Sequence, residues 1–379
     1  MAERENVGTV EDLHASATKI TGLEDFGGTE HHEALEVLLD SYHSQARLTP
    51  FGRRVKRAEL RGGLVARALS EAALARGAAT QPVHRPIFVT GLPRSGTTAL
   101  HRLLTVDPAH QGLELWLTEV PQPRPPRAEW ENDPVFAGIQ EGYSRHHIEH
   151  PEFMGVHYIS ADAVEECWRL LRQSIMSVSY ECLAHIPGYS AWLREQDWTP
   201  AYRRHRRNLE LIGGNDPGKR WVLKNPSHLF AIDALLAVYP DALIVQTHRD
   251  PRTAIASACS LAVQASSEWS EAFDPETVGR DQLELWATGL ERCRAACARY
   301  DQSRFYDVDY ADFIADPVGT AESVYRHFGI ELTEEASAAM RRTHAESVSG
   351  KAKPAHRYTL GDFGLAEAAV DERFAGMMG

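Results

Sequence analysis

The sequence has no run of 18 apolar residues, and its first thirty residues hold no apolar signal core. Neither a membrane-spanning helix nor an export signal is therefore expected. Cysteine is scarce, five in 379 residues, with no CxxC pair; Cys293 and Cys297 lie in an Arg/Ala-rich helical stretch without a nearby histidine. A disulfide framework or zinc site is not expected, and reduced thiols in a soluble, cytoplasmic protein are. Positive charge is in deficit, with 40 Lys and Arg against 53 Asp and Glu, a net charge of −13. That balance argues against a nucleic-acid partner or a polybasic membrane surface, but a phosphate site needs only local donors. Internal repeats and low-complexity segments are also missing. What remains is ordinary globular composition, 43% hydrophobic and 25% charged, enough for a sizeable core.

Residues 1–85 read as a polar, helical N-terminal extension. Leu35, Leu38 and Leu39 fall at helical spacing, and Leu60, Leu64, Val65 and Leu69 continue it. The character then changes. Pro86 to Thr90 is a short β-rich run closed by Gly91-Leu92-Pro93, after which Leu100, Leu103 and Leu104 resume the helical period. The prolines of 121–134 forbid long regular structure, whereas helical patterns return from Asp162 to about Leu211. Further strands are expected at Trp221–Leu223, Ala242–Thr247 and Phe305–Val308, with helices at 229–239 and 317–328. Alternating strands and helices predict an α/β fold, a phosphate-loop-type parallel sheet flanked by helices over 86–365, and a tail over 366–379.

Gly91-Leu92-Pro93-Arg94-Ser95-Gly96-Thr97-Thr98 has the spacing G-x-x-x-x-G-x-[ST] between a strand and a helix. Glycines let backbone N–H groups face inward, and the helix aims its positive end at the same point, so the loop is built for an oxyanion. Ser95, Thr97 and Thr98 add hydroxyls. The lysine that nucleotide triphosphatases place here is replaced by Thr97, and the cation is Arg94 inside the loop. No strand ends in an aspartate suited to magnesium, since residues 242–250 end Thr-His-Arg-Asp. An ATP or GTP hydrolase is disfavoured.

The loop resembles the 5′-phosphosulfate loop of sulfotransferases that use 3′-phosphoadenosine-5′-phosphosulfate (PAPS), in the version of tyrosylprotein sulfotransferases and bacterial small-molecule enzymes. A second match is Arg249 with Ser257 eight positions on, after the strand 242–247, similar to the family's 3′-phosphate motif; two helical turns bring the hydroxyl back toward the arginine. Lys224, in Trp221-Val222-Leu223-Lys224-Asn225-Pro226, stands where the family keeps a lysine on the transferring sulfuryl group. Tyr310 resembles a tyrosine that packs on adenine, and Lys351 and Lys353 fall where a basic segment closes over the 3′-phosphate. Ala99 replaces a tryptophan of the animal cytosolic enzymes, which leaves the other half of the adenine sandwich unassigned. The resemblance covers about 86–360, and it implies PAPS as donor, its bisphosphate PAP as product and no metal.

Sulfuryl transfer also needs a base for the acceptor proton, and two residues compete for it. Glu114 lies where tyrosylprotein sulfotransferases place a glutamate; His228 lies four residues past Lys224, where the cytosolic enzymes use a spacing of two. The spacing fits Glu114 better, with Glu119 a weaker neighbour, while histidine has the more convenient pKa. The family's acceptor region, about 115–215 here, is helical and carries many aromatics, from Trp116, Trp130, Phe136 and Tyr143 through Phe153 and Tyr158 to Trp168, Tyr180, Tyr189 and Trp192, about half of them expected in the core. They imply a small apolar or aromatic acceptor bearing a hydroxyl or phenol. Residues 264–280 look like a lid over it.

Other clusters read as plain surface. His31-His32-Glu33 and His146-His147 with His150 complete no ligand set and are expected to be solvated, and Tyr202 to Arg207 is expected to be a charged helix face. Two other functions stay open: an ATP-dependent phosphotransferase of the phosphate-loop class, and a catalytically silent nucleotide-binding module.

Overall fold

Strand β1 (Ile87–Gly91) is buried along its whole length, and its side chains alternate between two hydrophobic clusters. Ile87 and Val89 point to one, shared with Val222, Leu243 and Val245; Phe88 points to the other, shared with Leu223 and Ile244. A strand covered on both faces needs apolar residues at successive positions, which is why these strands read as continuous runs without a polar face. The structure, a computed structural model, describes residues 6–149, 160–266, 268–349 and 358–377.

Five parallel strands form the sheet in the order β2-β3-β1-β4-β5, with β2 at His110–Gln111, β3 at Arg220–Lys224, β4 at Leu243–His248 and β5 at Phe305–Asp309. Four of these lie where the apolar runs predicted them. The two-residue β2 carries no run of its own and is defined by its pairing with Arg220 and Trp221. In register, Val89 sits beside Lys224, and Gly91 beside Thr247. The carboxyl ends of β1, β3 and β4 therefore open on one edge, where ligands bind in sheets of this kind.

Helices α1 (Val10–Thr21), α2 (His32–Ser44) and α3 (Pro50–Ala75) precede the sheet, and α4 (Thr97–Thr105) follows β1. Thr9 caps α1 by accepting from the Asp12 N–H, and Gly22 ends it at φ 72°. Leu13, Leu35, Leu38, Leu60 and Leu64 are fully buried in the same cluster as Phe88, whereas Leu100, Leu103 and Leu104 of α4 cover the opposite face. Each such leucine contributes roughly 1.5–3 kcal/mol of burial. The helices of 199–212 and 317–328 follow the predicted positions, and the 229–239 stretch divides into a 3₁₀ turn and the helix Ile232–Val238.

One surface expectation is corrected here. Arg204 in the Tyr202–Arg207 run is buried, donating to Glu71 (2.6 Å), Ser70 (2.9 Å) and Gln173 (3.0 Å), so the run belongs partly to the core. Beyond the helix Pro251–Ala265, the stretch expected as a lid is tied to α3 and the turn before it. The Trp269 carbonyl accepts from the Thr49 N–H (3.0 Å), Ser270 donates to the Ala46 carbonyl (2.6 Å), and the buried Lys56 ammonium lies 5.0 Å from the Trp269 ring. Among the described residues, no helix is long and apolar enough to cross a membrane.

Candidate active site

The loop after β1 turns on three residues with positive φ, Gly91 (140°), Arg94 (67°) and Gly96 (89°). A Cβ on Gly91 would lie 2.5 Å from the Thr247 carbonyl oxygen, and one on Gly96 3.1 Å from the Tyr310 ring. Glycine is required at both, by conformation and by space. Ser95 is buried and points inward, donating to the Leu92 carbonyl (2.5 Å) and meeting the Thr247 hydroxyl at 2.6 Å. Its hydroxyl braces the loop against β4. Thr97 opens α4, so the first free N–H groups of that helix face the loop. Thr98 is exposed at its mouth.

Lys224, at the end of β3 and almost fully buried, reaches the same mouth. Its ammonium donates to the Thr98 hydroxyl (3.1 Å) and forms a short ion pair with Glu166. Glu166 is held there because the next residue docks on the strand: the Cys167 N–H donates to the Lys224 carbonyl (3.0 Å). On the other flank, Arg94 Nε donates to the Ser257 hydroxyl (3.1 Å), and Arg249 Nη1 to the Arg94 carbonyl (2.6 Å). The Arg249 guanidinium lies 4.1 Å from the centre of the Tyr310 ring, within cation–π range. Tyr358 donates to Ser257 (2.6 Å) from the far end of the sequence.

The structure thus brings together Arg94, Ser95, Gly96, Thr97, Thr98, Lys224, Arg249, Ser257 and Tyr310. Lys351 and Lys353 lie outside the described residues. Glu166, Thr247 and Tyr358 were missed by sequence reasoning. Glu166 follows another glutamate at the start of a helically patterned stretch, where no spacing points to Lys224; the backbone docking of Cys167 on β3 sets its place. Tyr358 lies five positions past Lys353 and carries no sequence signal of its own.

Both residues weighed as the base have other partners in this structure. The Glu114 carboxylate accepts from Nε (3.0 Å) and Nη2 (2.9 Å) of Arg124, whose remaining donors go to Asp216, Gln111 and the Gly112 carbonyl. Burial raises the Glu114 pKa against the pull of Arg124. Glu114 is thus one half of a buried ion pair. His228 is fully buried, with Nδ1 at 2.6 Å from the Tyr202 hydroxyl and its ring edge-on to Phe88. Burial, then His205 and Lys224, push its pKa well down. Glu119 is occupied by Arg169 (3.1 Å) and Arg172 (2.6 Å). Of the acceptor-region aromatics, Trp116, Trp130 and Phe136 form a buried cluster with ring centres 5.5–5.8 Å apart, and Tyr180 and Tyr189 are also core. Trp168 and Tyr143 are half-buried, whereas Phe153 and Tyr158 lie outside the described residues.

The family model described as the sulfotransferase family matches residues 86–334, from β1 past the last strand. The chain belongs to this family. Among solved structures, sulfotransferase STF1 from Mycobacterium tuberculosis H37Rv is 54% identical at a TM-score of 0.91, over 98% of this chain and 100% of that one. Sulfotransferase STF9 from Mycobacterium avium is 27% identical at a TM-score of 0.88, over 99% and 97%. Both likenesses include the N-terminal helices, which lie outside the family match. An omega-hydroxy-beta-dihydromenaquinone-9 sulfotransferase, Stf3, of Mycobacterium bovis is 27% identical over 65% of this chain. That match spans 63% of the curated relative's length. The glycine loop, Lys224 and the Arg249–Ser257 pair all fall inside the family match.

Proposed function

We propose that the chain is a sulfotransferase that moves a sulfuryl group from PAPS to the hydroxyl of a small apolar acceptor. The observation that carries this reading is the meeting of Lys224, Thr98 and Glu166 at one end of the glycine loop, with Arg94, Arg249 and Ser257 gathered at the other. Two separate clusters of donors suit a ligand with two anionic groups. Backbone N–H groups of the loop, with Arg94, Ser95, Gly96, Thr97 and Thr98, hold the 5′ end; Arg249 and Ser257 hold the 3′-phosphate. Tyr310 packs on the adenine, and Lys351 and Lys353 complete the basic cover.

The donor supplies an activated sulfuryl group and leaves as PAP. Lys224 stabilises charge developing on the bridging oxygen, an effect that is strong in a site screened from water. Glu166 takes the proton of the acceptor hydroxyl, in place of Glu114 and His228, because it is the carboxylate that meets Lys224 and it is part-exposed. Side chains supply the charge stabilisation, so the transfer needs no magnesium. The half-buried Trp168, two residues from Glu166, supports an apolar acceptor, as does the hydroxylated menaquinone in the name of Stf3. A cytoplasmic location accords with five free cysteines.

Calorimetric titration with PAP, beside ATP with magnesium, tests the donor on the wild type and on Arg249→Ala. PAP binding well ahead of ATP, weakened tenfold or more in the variant, is expected. Preference for ATP, or an unaltered variant, overturns the reading in favour of a phosphotransferase. Transfer of radiolabelled sulfate to hydroxylated apolar acceptors then separates the enzyme from a silent binding module.

A further inference from the structure

The turn between α1 and α2 gathers three imidazoles. His14 lies on α1, His31 caps α2 and His32 opens it. Ring centres are 5.0 Å apart for His14 and His31, 4.9 Å for His14 and His32, and 4.7 Å for His31 and His32. One ring nitrogen from each lies within 4.8 Å of the other two. Three imidazoles on a tetrahedral zinc at about 2.0–2.1 Å per Zn–N bond place their ring centres roughly 5 Å apart. The triangle already has that size. His31, expected to be solvated, is fully buried beneath the other two.

We propose that His14, His31 and His32 form a zinc site that staples α1 to α2. The tautomers are set for it. His14 Nδ1 lies 2.8 Å from the Val10 carbonyl, which can only accept, so the proton is on Nδ1 and Nε2 carries a free lone pair. Such a carbonyl partner is what orients a ligating histidine. His14 Nε2 lies 2.8 Å from His31 Nε2, so in the metal-free protein the His31 nitrogen donates. Zinc takes the place of that proton, which moves to His31 Nδ1, a buried atom with no partner among the described residues. The two nitrogens open from 2.8 Å toward the roughly 3.3 Å that tetrahedral ligands require.

The surroundings carry charge of the right sign. His14 and His32 line a cleft of about 830 Å³ together with four carboxylates, Glu11, Glu24, Asp25 and Glu36, against one ammonium, Lys19. The cleft gives the ion a route to the buried His31, and water or a carboxylate a place at the fourth position. Arg67 opposes a cation here, but its guanidinium is engaged by Glu30 (3.2 Å) and the carbonyls of Phe26 and Gly27.

Zinc(II) and cobalt(II) titrations of the full chain, stripped of metal, at pH 7.5 test the site. One ion per chain is expected, with a cobalt visible spectrum of low coordination number. Affinity falls tenfold or more in His14→Gln and in His32→Gln but not in His43→Gln, an exposed histidine on α2. Zinc raises the melting temperature of the wild type and of His43→Gln alone. If His14→Gln does not fold, the half-buried His32 decides the matter. No saturable binding, or binding equally tight in the His32 variant, overturns the proposal.

Discussion

Lys224 donates to Thr98 and to Glu166 at once, so a buried cation, a loop hydroxyl and a part-exposed carboxylate meet at one point. If Glu166 takes the acceptor proton, Glu166→Gln lowers kcat by about 10²–10⁴ and leaves PAP affinity within a few-fold of wild type. Steady-state kinetics beside calorimetry reads both numbers. A variant that keeps wild-type kcat removes Glu166 from the chemistry and leaves it as a partner that holds the lysine.

Arg249 stacks on Tyr310, while Ser257 accepts from both Arg94 and Tyr358. The 3′-phosphate end is therefore a network, in which truncations are not additive. Ser257→Ala and Tyr358→Phe each weaken PAP by about 1–2 kcal/mol, and together by less than the sum. Desulfated donors lacking the 3′-phosphate should not distinguish the variants. Equal losses on such a ligand would place the pair outside the 3′-phosphate site.

Much of this arrangement was legible in the residues. Strands buried on both faces read as apolar runs, so β1, β3 and β4 stood out, while the half-exposed β5 showed through Phe305, Tyr306 and Val308, and the glycine spacing fixed the loop between β1 and α4. Arg249 and Ser257 were readable because a helix converts eight residues into about two turns. The carboxylate that meets Lys224 was not readable. Glu166 reaches Lys224 through a backbone bond between Cys167 and β3, a long-range pairing that leaves no period or spacing in the chain. The same holds for His14 and His31, seventeen residues apart, which meet only when α1 and α2 fold onto each other. Nor does spacing along a chain reveal that Arg124 will hold the Glu114 carboxylate.

Glu114 and Arg124 carry a stability prediction. Removing the carboxylate leaves a guanidinium that is only 8% exposed short of one partner, although Asp216 stays in place. Glu114→Gln is expected to cost about 2–4 kcal/mol and lower the melting temperature, with kcat per folded molecule little changed. Denaturant titration and active-site-normalised kinetics separate the two. A kcat loss of a hundredfold without lost stability would return Glu114 to the site.

Acid sensitivity follows from histidines buried in neutral form. His101 and His205 are both pushed down to about 3, by burial first, and His101 also by Lys224. An unfolded chain protonates both near their ordinary pKa of about 6.5, so it binds more protons than the native state between about pH 6.5 and 3. Stability therefore falls as pH drops through that window, by about 1 kcal/mol per pH unit for each histidine. Glu181 works in the opposite sense: burial raises it to about 7, so between pH 7 and about 4.5 the native state holds a proton that the unfolded chain has released. Two histidines outweigh one carboxyl, and the melting temperature is expected to decline from pH 7 to 5. Glu181→Gln removes the opposing contribution and makes the decline steeper, whereas His205→Gln makes it shallower. A melting temperature that is flat or rising over the same range, measured in one buffer series, would mean that these imidazoles are hydrated or charged in the native protein.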